Sequence, residues 1–466
     1  MISLLILWPL FCDAQVTKNQ ICGSWLGNIE TGAVTLRLVF NITLTDKDSL
    51  TATLDSPDQG AKNIPMGRVI ASADSLKIEA PLLLGNYRGK LLNDTLLSGI
   101  WTQRGQSLPL NLKKLKARFS LNRPQEPRPP FPYRSEDVTI PNLKFNIYLS
   151  GTLTIPEGDG PFPAVVLITG SGAQNRDEAI MGHKPFLVLS DWLTRHGIAV
   201  LRYDDRGVGK SQGNYTVATS ADLATDAEAA LQYLKSRKEI IPAATGLAGH
   251  SEGGLIACMT GASDPGVAFI VSLAGPGVKG EEILNRQQAD ISRLSGLSEA
   301  EIKEAADINR RLYNIVKKEK NDIKAEEKVI ESYRKILIKQ KKSPREVENA
   351  VAQFRTSFSA QTYPWFRYFL TADPAGYWKR VACPVLALNG EKDTQVAADV
   401  NLPAIERAVK SGGNSKVTVK AFPGLNHLFQ NCTTGLPAEY GQIEETISPE
   451  VLKTISDWIN GLALPK

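Results

Sequence analysis

The chain has 466 residues, 42% hydrophobic and 22% charged, which predicts two or three domains and argues against a disordered chain, a collagen-like fibre or a polytopic membrane protein. Its 54 basic and 49 acidic residues leave a net charge of +5, too mild to predict a nucleic-acid partner. The five cysteines include no CxxC pair and no neighbouring histidine cluster, which argues against a structural zinc site or a disulfide-built scaffold.

Residues 2–11 form an apolar run with Leu4, Leu5, Leu7 and Trp8, too short to span a bilayer. With Ala14 before a cleavage point, residues 1–14 read as a signal peptide, and the mature chain is expected to be periplasmic or secreted. The bulky Phe11 speaks against lipid attachment at Cys12.

Residues 15–117 read as a β-rich accessory domain. Leu36, Leu38, Phe40, Ile42 and Leu44 alternate with Arg37, Val39, Asn41 and Thr43, the period of a half-buried strand. Shorter runs follow at 50–54, 69–71, 76–80, 91–93, 96–101 and 108–112, separated by turn signals such as Gly60 and Asn93-Asp94. The pattern predicts a small antiparallel barrel or sandwich. Trp25 and Trp101 are core residues on the simplest reading, or contacts for a glycan or lipid. Residues 118–135, with Pro124, Pro127, Pro129, Pro130 and Pro132, read as a semi-rigid extended linker.

From 136 to 466 the pattern becomes α/β. Strands are expected at 145–155, 164–169, 198–203, 246–248, 267–273, 384–389 and 417–422. Helices are expected at 186–196, 221–238, from about Gly253, and at 449–462. Continuous apolar strands alternating with helices imply a mostly parallel sheet covered on both faces. Residues 281–361 interrupt this rhythm. Ser298 with Glu301, and Ser343-Pro344 with Glu346, mark helix starts, and Ile302, Ala305, Ala306, Leu312, Ile315 and Val316 recur at helical spacing. A helical insertion of this length reads as a lid, with Tyr363, Trp365, Phe366 and Tyr368 either lining an acyl pocket or packing the junction.

The chemistry centres on Gly249-His250-Ser251-Glu252-Gly253. A G-x-S-x-G pattern between a strand and a helix is a nucleophile elbow, whose tight turn lifts the serine hydroxyl above the sheet. A serine nucleophile needs a base and an orienting acid, here in the order Ser, acid, His. Of the four histidines only His427 lies downstream; His183 and His196 precede the serine, and His250 sits inside the elbow, where its side chain is expected to point away. The loop after the strand at 384–389 offers Glu391 and Asp393, and Asp393 is preferred because the turn through Gly390 and Lys392 needs length to face back over the sheet. For the oxyanion hole the spacing selects the backbone N–H of Glu252 and one from Gly170-Ser171-Gly172, with Ser171 preferred. The loop Asp204-Asp205-Arg206-Gly207-Val208-Gly209-Lys210-Ser211 lacks P-loop spacing and reads as an ion-paired structural loop.

The elbow, the 204–211 loop, Asp393 and His427, with GSGAQNRDE at 170–178, PGLNHLF at 423–429 and IEETISPEVL at 443–452, resemble the α/β-hydrolase superfamily. The resemblance is to two-domain bacterial serine esterases of the serine-aminopeptidase-like, lid-bearing branch, with Thr169 where the family usually carries a histidine. It covers residues 136–466 well and 22–116 loosely, and it implies nucleophile Ser251, acid Asp393, base His427 and hydrolysis of short-acyl carboxylic esters. No metal or organic cofactor is required, and a small ester is the expected partner. A serine peptidase or aminopeptidase and a glycan deacetylase are the alternatives; a binding protein would be expected to lack a triad member. The oligomeric state is not legible in the sequence.

Overall fold

The computed structural model describes residues 18–30, 35–72, 74–359 and 363–463. The expected signal peptide lies outside the described residues. The chain divides into two compact units, Met1–Asn122 and Arg123–Lys466. Among the described residues no helix is long and apolar enough to cross a membrane.

The first unit is a single ten-stranded sheet in which every pairing is antiparallel. Its longest strand, Thr35–Leu44, carries the period-two segment. One face closes on a core containing Trp25, Phe40, Ile78, Tyr87, Leu97 and Trp101. The structure therefore decides the reading of the two tryptophans. Trp25 and Trp101 are buried, Trp25 donating its indole N–H to the Ile21 carbonyl, so neither is an exposed contact for a ligand.

The second unit is an eight-stranded sheet. Its strands are β1 Arg134–Asn142, β2 Ile147–Ile155, β3 Phe162–Ile168, β4 Ala199–Tyr203, β5 Ile240–His250, β6 Ile270–Leu273, β7 Val385–Gly390 and β8 Val417–Phe422. They lie in the order β1-β2-β4-β3-β5-β6-β7-β8. The two pairings that involve β2 are antiparallel, and the others are parallel. Helices α1 Pro185–Arg195, α2 Ser220–Lys235 and α3 Glu252–Ser263 connect the early strands. The run 164–168 is apolar throughout because β3 is buried on both faces.

Between β6 and β7 the chain forms α4 Gly280–Leu294, α5 Glu299–Lys318, α6 Asp322–Lys339, α7 Pro344–Ser357, α8 Tyr363–Thr371 and α9 Pro374–Trp378. Both expected helix starts form, each closed by a capping box, at Ser298 with Glu301 and at Ser343 with Glu346. The insertion outruns the expected limit of 361, because α8 and α9 carry it back to the core. Helices α10 Ala398–Ser411 and α11 Pro449–Gly461 complete the unit.

The Pro-rich stretch expected as a spacer over 118–135 is tied down from Arg123 onward. The Arg123 guanidinium donates to the carbonyls of Met181, Gly182, Gly441 and Ile443, and Gln125 donates to the Ile447 carbonyl. Arg134 already belongs to β1.

Candidate active site

Ser251 follows β5 directly and precedes α3, with φ 53° and ψ −121°. A positive φ is strained for a residue with a side chain and persists where the surroundings impose it. Here they do. A Cβ on Gly249 would lie 2.0 Å from the Gly253 carbonyl oxygen, and one on Gly253 would lie 2.1 Å from the Ile168 carbonyl oxygen. The two glycines are what let α3 turn this sharply against β3 and β5.

The expected base and acid meet. His427 Nδ1 lies 2.7 Å from Asp393 Oδ2, and both side chains are buried. Asp393 Oδ1 accepts the backbone N–H groups of Gln395 and Val396 at 2.7 and 2.9 Å, which fixes the carboxylate. A carboxylate at Nδ1 keeps the proton on that nitrogen, so Nε2 presents its lone pair. Among the described residues Nε2 has no hydrogen-bond partner. Glu391 is exposed, and among the described residues no hydrogen bond joins it to His427, whereas Asp393 is buried against that ring. The His427 loop is shaped by Asn426, whose side-chain oxygen accepts the N–H groups of Leu428 and Gln430.

Ser251, His427, Gly170 and Ser171 line one cavity of about 240 Å³. The three N–H groups of the 170–172 turn are distinguished by their partners. Gly170 N–H donates to Glu178 Oε1 and Gly172 N–H to Tyr215 Oη, each at 2.8 Å. Among the described residues Ser171 N–H and Glu252 N–H have no partner. The turn is held from below by Asp205, which accepts from Thr169 Oγ1 at 2.8 Å and from Gln174 N–H at 2.9 Å. Burial pushes Asp205 up to about 8. The rest of the 204–211 loop is ion-paired as expected, Asp204 with Arg176 and Arg206 with Asp226.

Of the four aromatic residues considered as pocket lining, only Trp365 reaches the cavity, joined by Phe369. Tyr363 and Phe366 pack in the insertion's own core, and Tyr368 packs on the main core, its hydroxyl 3.1 Å from Tyr377 Oη. Trp365 Nε1–H donates to Glu252 Oε1 at 2.7 Å, and Ser220 Oγ donates to the same oxygen at 2.5 Å. Two residues of the site were not anticipated, Glu178 and His250. His250 does not point idly away: its Nδ1 lies 2.9 Å from Glu178 Oε1 and its Nε2 lies 3.0 Å from the His427 carbonyl oxygen. The sequence held only one sign of this, the quoted segment 170–178.

A larger groove of about 730 Å³ runs behind Asp393, between α4 and α10, and reaches neither Ser251 nor His427. Its Arg286 and Arg293 are already paired with Asp290, Asp399 and Glu299. Among the described residues no three His, Cys, Asp or Glu side chains are grouped to hold a metal ion.

A family model described as serine aminopeptidase, S33, matches residues 185–347. An esterase, EstD, of Thermotoga maritima is 27% identical over 329 residues, which span 70% of this chain and 68% of the relative. The α/β unit has the α/β-hydrolase fold. In this chain an N-terminal β unit precedes the α/β unit. Among solved structures, an esterase of Pyrococcus furiosus is 18% identical with a TM-score of 0.42, the match covering 73% of this chain and 98% of that chain. A hypothetical protein of Pseudomonas aeruginosa is 14% identical with a TM-score of 0.45, covering 74% and 99%.

Proposed function

We propose that the protein is a carboxylesterase-type serine hydrolase in which Ser251 is the nucleophile, His427 the base and Asp393 the orienting acid. The observation that carries the reading is the 2.7 Å Asp393–His427 pair on the cavity that Ser251 also lines. His427 Nε2 takes the Ser251 proton as Oγ attacks the ester carbonyl, and the oxyanion rests on the N–H groups of Ser171 and Glu252. Collapse expels the alcohol, which takes the proton from His427. Water, deprotonated by the same imidazole, then attacks the acyl-enzyme, and Ser251 leaves with that proton. A cavity of about 240 Å³ lies below the usual ~300–1,000 Å³ of ligand pockets, which supports a short acyl group. The helical insertion, through Trp365 and residues of α4, acts as the lid that shapes it.

The test is turnover of p-nitrophenyl esters from acetate to long chains beside aminoacyl anilides. Short esters are expected to turn over, and Ser251→Ala to lose about 10⁶ in kcat. Unchanged turnover in that variant would sink the assignment of Ser251.

A second reading, an aminopeptidase, draws on the family description and on Glu252, whose Oε2 is buried without a partner among the described residues and could hold a substrate ammonium. Against it, Glu252 does not line the cavity and its other oxygen is engaged by Ser220 and Trp365. Turnover of anilides but not esters would favour it. We also propose export, on the apolar segment 2–11; a mature protein that begins at Gln15 in the periplasm or medium is the expected result of N-terminal sequencing.

A further inference from the structure

Glu178 and His250 have no part in the proposed chemistry, yet they are buried at its centre, 3% and 7% exposed. They are 72 residues apart in sequence and meet at 2.9 Å. Glu178 itself has φ 50°, a left-handed conformation uncommon outside glycine and a sign that the surroundings dictate its position. One oxygen, Oε1, faces both the Gly170 N–H and His250 Nδ1. The other ring nitrogen, Nε2, faces the His427 carbonyl, which can only accept. A carboxylate at one nitrogen and a carbonyl at the other leave a donor's role to both, and only the imidazolium has two N–H groups. Burial, the largest single influence on His250, pushes its pKa down, but the charge and hydrogen bond of Glu178 and the His427 carbonyl outweigh it and raise it above the ordinary value. The His250 and His427 rings lie 4.7 Å apart between centroids. The titratable groups that face His250 are Glu178, His427 and, more distantly, Asp393, with Asp205 beyond Glu178.

We propose that Glu178 and His250 are a positioning pair, a buried carboxylate–imidazolium bridge that ties the Gly170 turn to the His427 loop and keeps a positive charge beside the base. The bridge rests on the reading of His427 as base. It does two separable things. The hydrogen bonds hold the loop that supplies an oxyanion donor and the loop that supplies the base at a fixed distance across the elbow. The charge lies beside the ring of the base, 4.7 Å away between centroids, where it opposes a second positive charge.

Three variants separate these roles. Glu178→Gln keeps an oxygen for Gly170 N–H and removes the negative charge that sustains the imidazolium. The acid limb of kcat/KM is expected to move to higher pH by about one pH unit, because the positive charge beside the base is gone. His250→Gln keeps a donor for the His427 carbonyl and should show the same displacement. His250→Ala loses the donor as well and should fall about tenfold further in kcat, the cost of one buried hydrogen bond. A purely structural pair would lower activity without moving the limb. The full-length wild type gives a reading that no variant's folding can spoil. With ¹⁵N-histidine label and four histidines to resolve, the ring absent from His250→Gln should carry two protonated nitrogens at pH 7. A neutral His250 ring at that pH, or an unmoved acid limb in folded Glu178→Gln, would overturn the proposal. Fluorophosphonate labelling keeps it apart from the parent reading. Labelling lost in Ser251→Ala with the limb unmoved rejects the bridge alone, whereas labelling and turnover retained in Ser251→Ala reject both.

Discussion

Gly170, Ser171 and Gly172 present three successive backbone N–H groups to one small region, and side chains claim the outer two. Glu178 takes the first and Tyr215 the third, which aims the turn and leaves the middle donor unclaimed among the described residues. Tyr215→Phe removes one of these restraints without touching the cavity surface, since Tyr215 is not among its lining residues. A loosened turn matters most when negative charge develops, because an oxyanion donor is worth little to the uncharged ground state. The expected outcome is a kcat about tenfold lower with KM nearly unchanged, read from steady-state kinetics on a short p-nitrophenyl ester. A raised KM with unaltered kcat would mean that the turn serves ground-state binding instead.

At the scale of elements, the Trp365 side chain joins the insertion to the elbow. Trp365 on α8 donates to Glu252 Oε1, 113 residues away, and its ring stacks on Phe369 with centroids 5.4 Å apart. Both rings wall the cavity. Trp365→Ala removes that wall and is expected to raise kcat/KM for octanoate relative to butyrate by about tenfold, one to three kcal/mol being the usual worth of a methylene in an apolar pocket. Trp365→Phe, which keeps most of the bulk, should leave the chain-length preference in place; a shift as large as that of the alanine variant would move the cause to the lost N–H. The helix itself was not legible in advance, and the reason is general to the chain. Ser251 could be read because steric necessity puts glycines two residues to either side, and His427 because no other histidine lies downstream. The same local logic marked the two helix starts. It preferred Asp393 to Glu391 on loop length alone, without the backbone donors at Gln395 and Val396 that fix the carboxylate, and it did not find β1, whose Arg134, Glu136 and Asp137 mask its period. It assigned β5 only 246–248, although the strand runs Ile240–His250, because Pro242 and the small residues around Ala243 resemble a loop. His250 and Glu178 carried the least signal, their role resting on partners far off in sequence.

Over the whole molecule, buried titratable groups give stability a pH optimum. His183 is fully buried and held between Thr446 and the Tyr440 carbonyl, joining the 180–183 turn to the C-terminal loops. Burial first, and the Arg123 charge second, push its pKa down to about 4. An unfolded histidine takes up its proton near pH 6.5, so between there and pH 4 the unfolded chain binds the proton that the folded one refuses, and stability falls as pH falls. Two other groups act in the opposite sense. Asp205, pushed up to about 8, keeps a proton that the unfolded chain releases near 4, so its contribution is lost as pH rises across that interval. His250, raised above its ordinary value, likewise stabilises most at low pH and loses that contribution as pH rises through its folded-state value. Replacing His183 with Gln removes the acid-side proton trap and leaves the alkaline side intact. The Tm advantage of the wild type over His183→Gln, measured from pH 4.5 to 8.5, is therefore expected to shrink as pH falls below 6.5, the variant being lower at pH 7.5 for want of the native contacts to Thr446 and Tyr440. Parallel curves in the two proteins below pH 6.5 would show that His183 has no part in acid destabilisation.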